Sequence, residues 1–90
     1  MLEKRLKVVN VLGLHARAAA QLVRLAANFK SRILIKRIDT SVTADAKSIL
    51  SVLSLAASRG TELEASVEGE DQIEALAAII LLFETGFGEM

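Results

Sequence analysis

Thr61-Glu62-Leu63-Glu64-Ala65-Ser66-Val67-Glu68 alternates apolar and polar side chains, with Leu63, Ala65 and Val67 on one side and Glu62, Glu64 and Glu68 on the other. A period of two over this length is the mark of a strand with one buried face and one wet face. Gly69-Glu70 then turns the chain. Asp71 with Glu74 makes a capping-box-like start to a last helix, whose predicted core stripe is Ile73, Leu76, Ala77, Ile80 and Phe83 and which stops near Gly86.

The elements before this stretch are read from the same two periods. Glu3 to Val9 alternates Leu6 and Val8 with Arg5 and Lys7, a first strand. Ala16 to Phe29 carries Ala19, Leu22, Val23, Ala26 and Phe29 at helical spacing, with Arg17, Gln21, Arg24 and Asn28 on a second, partly basic stripe. Ser31 to Ile38 alternates Ile33, Ile35 and Arg37 against Arg32, Leu34 and Lys36; Asp39-Thr40-Ser41 turns into a short strand around Val42 to Ala44, and the two strands make a hairpin. Asp45 or Ser48 caps a second helix bearing Ile49, Leu50, Val52, Leu53, Leu55 and Ala56, which Gly60 ends. Its apolar residues spread too widely for one stripe, so Ile49, Leu50 and Leu53 are candidates for an exposed docking patch. The order βαββαβα predicts an α+β fold: a four-stranded antiparallel sheet with three helices on one face and the other face in solvent. Arg5 and Lys7 then meet Glu62, Glu64 and Glu68 across that open face.

Ninety residues, 52% of them hydrophobic, make a single domain over 1–90. With one histidine and no cysteine, neither a disulfide nor a transition-metal site has the ligands it needs, and no cofactor is expected. Three phenylalanines with no tryptophan or tyrosine leave few stacking surfaces for single-stranded nucleic acid, and zero net charge argues the same way. The longest uncharged apolar run, Ala75 to Phe83, is about half of the ~20 residues a membrane helix needs. Polar residues at Asn10, His15 and Arg17 interrupt anything like a signal segment, so the chain reads as cytoplasmic. The zero net charge nonetheless hides a dipole: Met1 to Ile38 hold nine basic residues and one acid, and Thr61 to Met90 hold eight acids and no base. Either basic and acidic elements neutralise each other in the fold, or a basic face around His15 steers acidic partners toward it.

The candidate site is Gly13-Leu14-His15-Ala16-Arg17-Ala18-Ala19, which sets the only histidine beside an arginine where a helix begins. A lone histidine is often a packed or decorative residue. Here, however, the unpaired N–H groups of the first turn attract anions, the preceding glycine permits an unusual backbone angle, and the small alanines let another active site approach. An ordinary imidazole is mostly neutral at pH 7 and can therefore act as a nucleophile. The helix end would then favour a phosphoryl dianion by about 0.3–1 kcal/mol per interaction. Arg17 adds a permanent fork of donors. No acid in the sequence is seen to orient His15, which sets triad chemistry aside, and no glycine pattern supports a nucleotide loop. Ser48 reads by default as a helix cap, and in its second reading as a hydroxyl whose phosphorylation would bring negative charge to the Ile49, Leu50 and Leu53 patch.

These residues carry a resemblance. Gly13-Leu14-His15-Ala16-Arg17 resembles the active-site signature of HPr, the histidine-containing phosphocarrier family of the bacterial phosphoenolpyruvate-dependent phosphotransferase system. Ala46-Lys47-Ser48-Ile49-Leu50 is similar to that family's regulatory-serine segment, and Val67-Glu68-Gly69-Glu70-Asp71 with Glu74-Ala75-Leu76 is similar to its final strand, turn and helix. The resemblance implies an open-faced β-sandwich and a protein that is a substrate of other phosphotransferases rather than an enzyme. Enzyme I would phosphorylate Nδ1 of His15, Arg17 would steady the group, and an IIA-type protein or domain would receive it. Ser48 matches the serine modified by an HPr kinase/phosphorylase, and Ala16, Ala20, Arg24, Ala27, Ile49, Leu50 and Leu53 match a shared docking face. A monomer is implied. Ala18 departs from the family's proline, which leaves the loop less preorganised but removes no reacting group. The ending Leu82-Phe83-Glu84-Thr85-Gly86-Phe87 is closer to the nitrogen-related branch, NPr, whereas the Ser48 context points to serine-regulated HPr proteins. The reading from outside the family is a regulatory module that binds a free anion at His15 and Arg17 without a covalent bond.

Overall fold

The computed structural model describes residues 1–89. Four strands, β1 (Leu2–Lys7), β2 (Arg32–Arg37), β3 (Thr43–Asp45) and β4 (Glu62–Glu68), form one antiparallel sheet in the order β1-β4-β2-β3. Three helices, α1 (Ala16–Ala26), α2 (Ile49–Leu53) and α3 (Gln72–Glu84), supply the other layer. The alternation of β4 decides the face. Leu63, Ala65 and Val67 are fully buried, and their neighbours in register include Leu6 on β1 and Ile35 and Ile33 on β2. Their apolar surface is covered by Leu22, Ala26, Val52, Ile79 and Phe83 from the helices, at about 25 cal/mol per Å² removed from water.

On the open face Arg5 stands opposite Glu64, at 3.8 Å, while Lys7 lies in register with Glu62 and Arg32 with Glu68. Lys30 and Glu70 add a pair at 3.0 Å. Much of the sequence's charge dipole is therefore neutralised between adjacent elements, each exposed pair contributing little to stability.

Three local expectations are corrected. Asp71 does not cap its own helix: its carboxylate accepts hydrogen bonds from the backbone N–H groups of Lys30 and Ser31, at 2.8 and 2.9 Å, and from the Ser31 hydroxyl. It ties the start of β2 to the start of α3, and Gln72 instead meets the Gly69 N–H. The buried stripe of α3 is Ala75, Ile79 and Phe83, with Leu76 and Ile80 half-buried, while Ile73 is 70% exposed and Ala77 is also outside. A helix apolar on nearly every side has no polar stripe to mark its outer face, so its phase cannot be read from periodicity. Finally, α1 stops at Ala26 rather than Phe29, and α2 is one short turn and a half, ending at Leu53 and not near Gly60. Ala56 is left-handed (φ 49°), and the carbonyls of Leu55 and Ala56 accept from the Arg37 guanidinium at 2.9 Å each. Arg37 lies in the buried phase of β2 and caps this end from across the fold.

The Ser31 hydroxyl, followed by the Lys30 N–H, holds the Asp71 carboxyl below its ordinary value. A depressed folded-state pKa gives stability that is present above the unfolded value near 3.9 and lost as pH falls through the folded one. Asp71→Ala is expected to lower the urea midpoint at pH 7 and to flatten the decline of stability below pH 4; an unchanged acid limb in urea titrations would contradict this assignment.

Candidate functional site

The loop Asn10–Leu14 sets where α1 begins. Gly13 is left-handed (φ +69°), and a Cβ there would lie 2.6 Å from the Ala57 carbonyl oxygen. The two backbones can therefore touch, and the Leu14 N–H donates to that carbonyl at 2.9 Å. Asn10, fully buried, donates through Nδ2 to the Gly13 carbonyl at 2.8 Å and closes the loop.

His15 is the N-cap of α1 with extended backbone (φ −72°, ψ 178°), and its Nδ1 accepts from the Arg17 N–H at 3.3 Å. The imidazole thus occupies the place usually taken by a serine or aspartate, with one ring nitrogen turned toward the orphan donors of the first turn. Its other nitrogen, Nε2, is 3.0 Å from both carboxylate oxygens of Glu89. Glu89 also accepts from Asn10 Nδ2 at 2.6 Å and lies 3.8 Å from the Arg17 guanidinium. The Asn10 amide first, then the His15 ring, hold the Glu89 carboxyl below its ordinary value, so it is ionised at neutral pH. A carboxylate cannot donate, so a neutral ring donates its Nε2–H to Glu89 and carries its lone pair on Nδ1, where it accepts from the Arg17 N–H.

An acid therefore does orient His15, contrary to the expectation from sequence. Glu89 reaches the ring because Gly86, Phe87 and Gly88 are all left-handed (φ 60°, 58° and 75°) and reverse the chain after α3. Phe87 is buried in that conformation, its ring edge-on to Phe83 at 5.0 Å. No local signal ties residue 89 to residue 15.

Arg17 is well exposed on the first turn of α1, and Ala16, Arg24 and Ala27 are exposed with Ala20 half-buried on the same helix. Ser48 is the N-cap of α2, its hydroxyl accepting from the Ser51 N–H at 3.3 Å, whereas Asp45 ends β3 and bonds the Lys47 N–H. Ile49, Leu50 and Leu53 are exposed, Leu50 by 77%. Because α1 packs against α2, these side chains share the outer surface of the helix layer. The loop residues Val11 and Leu12, 69% and 62% exposed, extend the apolar surface before His15 and were not singled out in the sequence. Among the described residues no cluster of imidazole and carboxylate groups is arranged to hold a metal ion.

Residues 2–85 match the family model described as the PTS HPr component phosphorylation site. The chain belongs to the HPr family. It is 46% identical over 89 residues to the phosphocarrier protein HPr of Treponema pallidum, covering 99% of each chain. It is 36% identical over 87 residues to the phosphocarrier protein NPr of Klebsiella oxytoca, covering 97% of this chain and 96% of the relative. Its fold matches the crystal structure of HPr-C-His from Thermoanaerobacter tengcongensis with a TM-score of 0.94 at 39% identity, covering 100% of this chain and 99% of that one. The open-faced HPr architecture expected from the sequence is thus the observed one. Where the family pattern has proline, Ala18 keeps a backbone N–H in the first turn of α1.

Gly13→Ala is expected to destabilise the fold by at least ~1–2 kcal/mol, from the left-handed backbone and the blocked Leu14–Ala57 contact. Denaturant unfolding measures this, and a change within ±0.5 kcal/mol would mean the loop accommodates a side chain.

Proposed function

We propose that this HPr-family chain accepts a phosphoryl group from enzyme I on Nδ1 of His15 and passes it to an IIA-type protein or domain, being a substrate of these phosphotransferases and having no turnover of its own. The observation that carries the reading is the ring's orientation: Nδ1 faces the Arg17 N–H at the start of α1 while Nε2 is tied to Glu89. The incoming phosphorus meets a lone pair, and its oxygens meet backbone donors and the Arg17 guanidinium. The exposed residues Ala16, Arg24, Ala27, Ile49, Leu50 and Leu53 and the half-buried Ala20 form the docking face, with the α1 arginines steering acidic partner surfaces. One domain, acting as a monomer, suffices for this.

Ser48 is a regulatory site in this reading. Its hydroxyl caps α2 beside Ile49 and Leu50, so phosphorylation by an HPr kinase/phosphorylase adds about two negative charges to the docking face. Relatives named HPr and NPr leave two acceptor classes, and presenting the phosphorylated chain to sugar-type and nitrogen-type IIA proteins separates them.

Intact mass after incubation with phosphoenolpyruvate and enzyme I is expected to show one acid-labile phosphoryl group on the unmutated chain and none on His15→Ala. Acceptance by the variant would move the site elsewhere; no covalent adduct on either, with phosphate binding seen by calorimetry, would favour a non-covalent anion module. Ser48→Asp is expected to slow acceptance from enzyme I about tenfold, ~1.4 kcal/mol of barrier from a misplaced charge at the rim of the face, without abolishing it. Unchanged kinetics would leave Ser48 a helix cap only.

A further inference from the structure

We propose that Glu89, clamped by Asn10, is a positioning residue that holds one proton on Nε2 of His15 through the whole carrier cycle. The proposal rests on the reading of His15 as phosphoryl acceptor and adds a role for two residues outside the signature. Four contacts define the clamp. Both Glu89 oxygens lie 3.0 Å from Nε2, Asn10 Nδ2 holds Oε1 at 2.6 Å, and the same amide grips the Gly13 carbonyl at 2.8 Å. The Asn10 amide has only one workable orientation, because both groups it meets are acceptors. Among the described residues its buried Oδ1 meets no partner, a cost the fold accepts to aim Nδ2 at Glu89.

The backbone is shaped for the same end. Phe87 is a non-glycine residue in the left-handed region, an arrangement that costs about 1–2 kcal/mol and is held here by burial against Phe83. Without that reversal Glu89 could not return to the ring.

The chemistry follows from the two edges of the imidazole. When the Nδ1 lone pair forms the N–P bond, the electron pair of the breaking bond leaves with the donor, and the ring becomes an imidazolium whose proton is already on Nε2. Glu89 faces that positive charge from the edge opposite the phosphoryl group, close enough to stabilise it and turned away from the phosphoryl oxygens. When the group moves on, the N–P electrons return to Nδ1 and the ring leaves as the same neutral Nε2–H form. No proton enters or leaves the ring in either step. Arg17, 3.8 Å from Glu89 in the unphosphorylated chain, is free to turn its exposed guanidinium to the phosphoryl oxygens.

The test compares the full-length chain with Glu89→Gln and Glu89→Asp. Glutamine can accept from Nε2–H or donate to a bare Nε2, so it no longer selects a tautomer. Nitrogen-15 NMR of His15, at a pH where the ring is neutral, is expected to show the Nε2–H form dominant in the unmutated chain and a mixture of tautomers in E89Q. The initial rate of acceptance from enzyme I is expected to fall roughly five- to tenfold in E89Q, the difference between a charge-assisted and a neutral hydrogen bond, and to recover in part in E89D. An E89Q chain that matches the unmutated one in either the tautomer ratio or the rate overturns the proposal. Failure of the carrier reading itself is separate: the unmutated chain would then accept nothing, whatever its tautomer.

Discussion

The hydrogen bond from the Leu14 N–H to the Ala57 carbonyl fixes the point at which α1 begins, and the rest of the site depends on it. It forms because residue 13 has no side chain: a Cβ there would collide with the acceptor itself. The loop before α1 is thereby joined to the segment after α2, and the two helices that carry the exposed residues are held side by side. His15 falls at the N-cap, where its ring replaces the usual hydroxyl or carboxylate and turns Nδ1 toward the orphan donors. In the proposed reading, nucleophile and anion site are the same structural position.

The second constraint comes from the far end of the chain. The left-handed run at Gly86, Phe87 and Gly88 returns Glu89 to the histidine, and Asn10 links that carboxylate to the same loop that starts α1. Glu89 meets the Nε2 edge of the ring and the Arg17 N–H meets its Nδ1 edge, while the Arg17 guanidinium lies 3.8 Å from Glu89. As a phosphoryl acceptor, the proposed role, such a site would have the donors that receive the charge fixed in the backbone before it arrives.

Much of this was legible in the sequence where a period was present. The eight residues from Thr61 predicted a half-buried strand, and the β2–β3 hairpin, the open charged face between β1 and β4 and the exposure of Ile49, Leu50 and Leu53 agree with the pattern reading. His15 and Arg17 stood out as a local pair at a helix start. Most of the failures concern a contact between distant segments. Asp71 had the spacing of a capping box but found stronger partners 40 residues away at Lys30 and Ser31. The phase of α3 was hidden by apolar residues on nearly every side, and the segment after α2 takes its carbonyl partners from Arg37 on β2. Glu89 looked like one more terminal acid, because nothing local says that a left-handed turn will carry it back to residue 15.

The central claim is that the ring presents Nδ1, and not Nε2, to incoming phosphorus. One-bond phosphorus–nitrogen coupling in the nitrogen-15-labelled, phosphorylated chain tests it directly. Coupling of phosphorus to Nδ1 of His15 is the result this account predicts; coupling to Nε2 would mean that the Glu89 contact is broken before transfer and that the helix N-terminus does not receive the phosphoryl group.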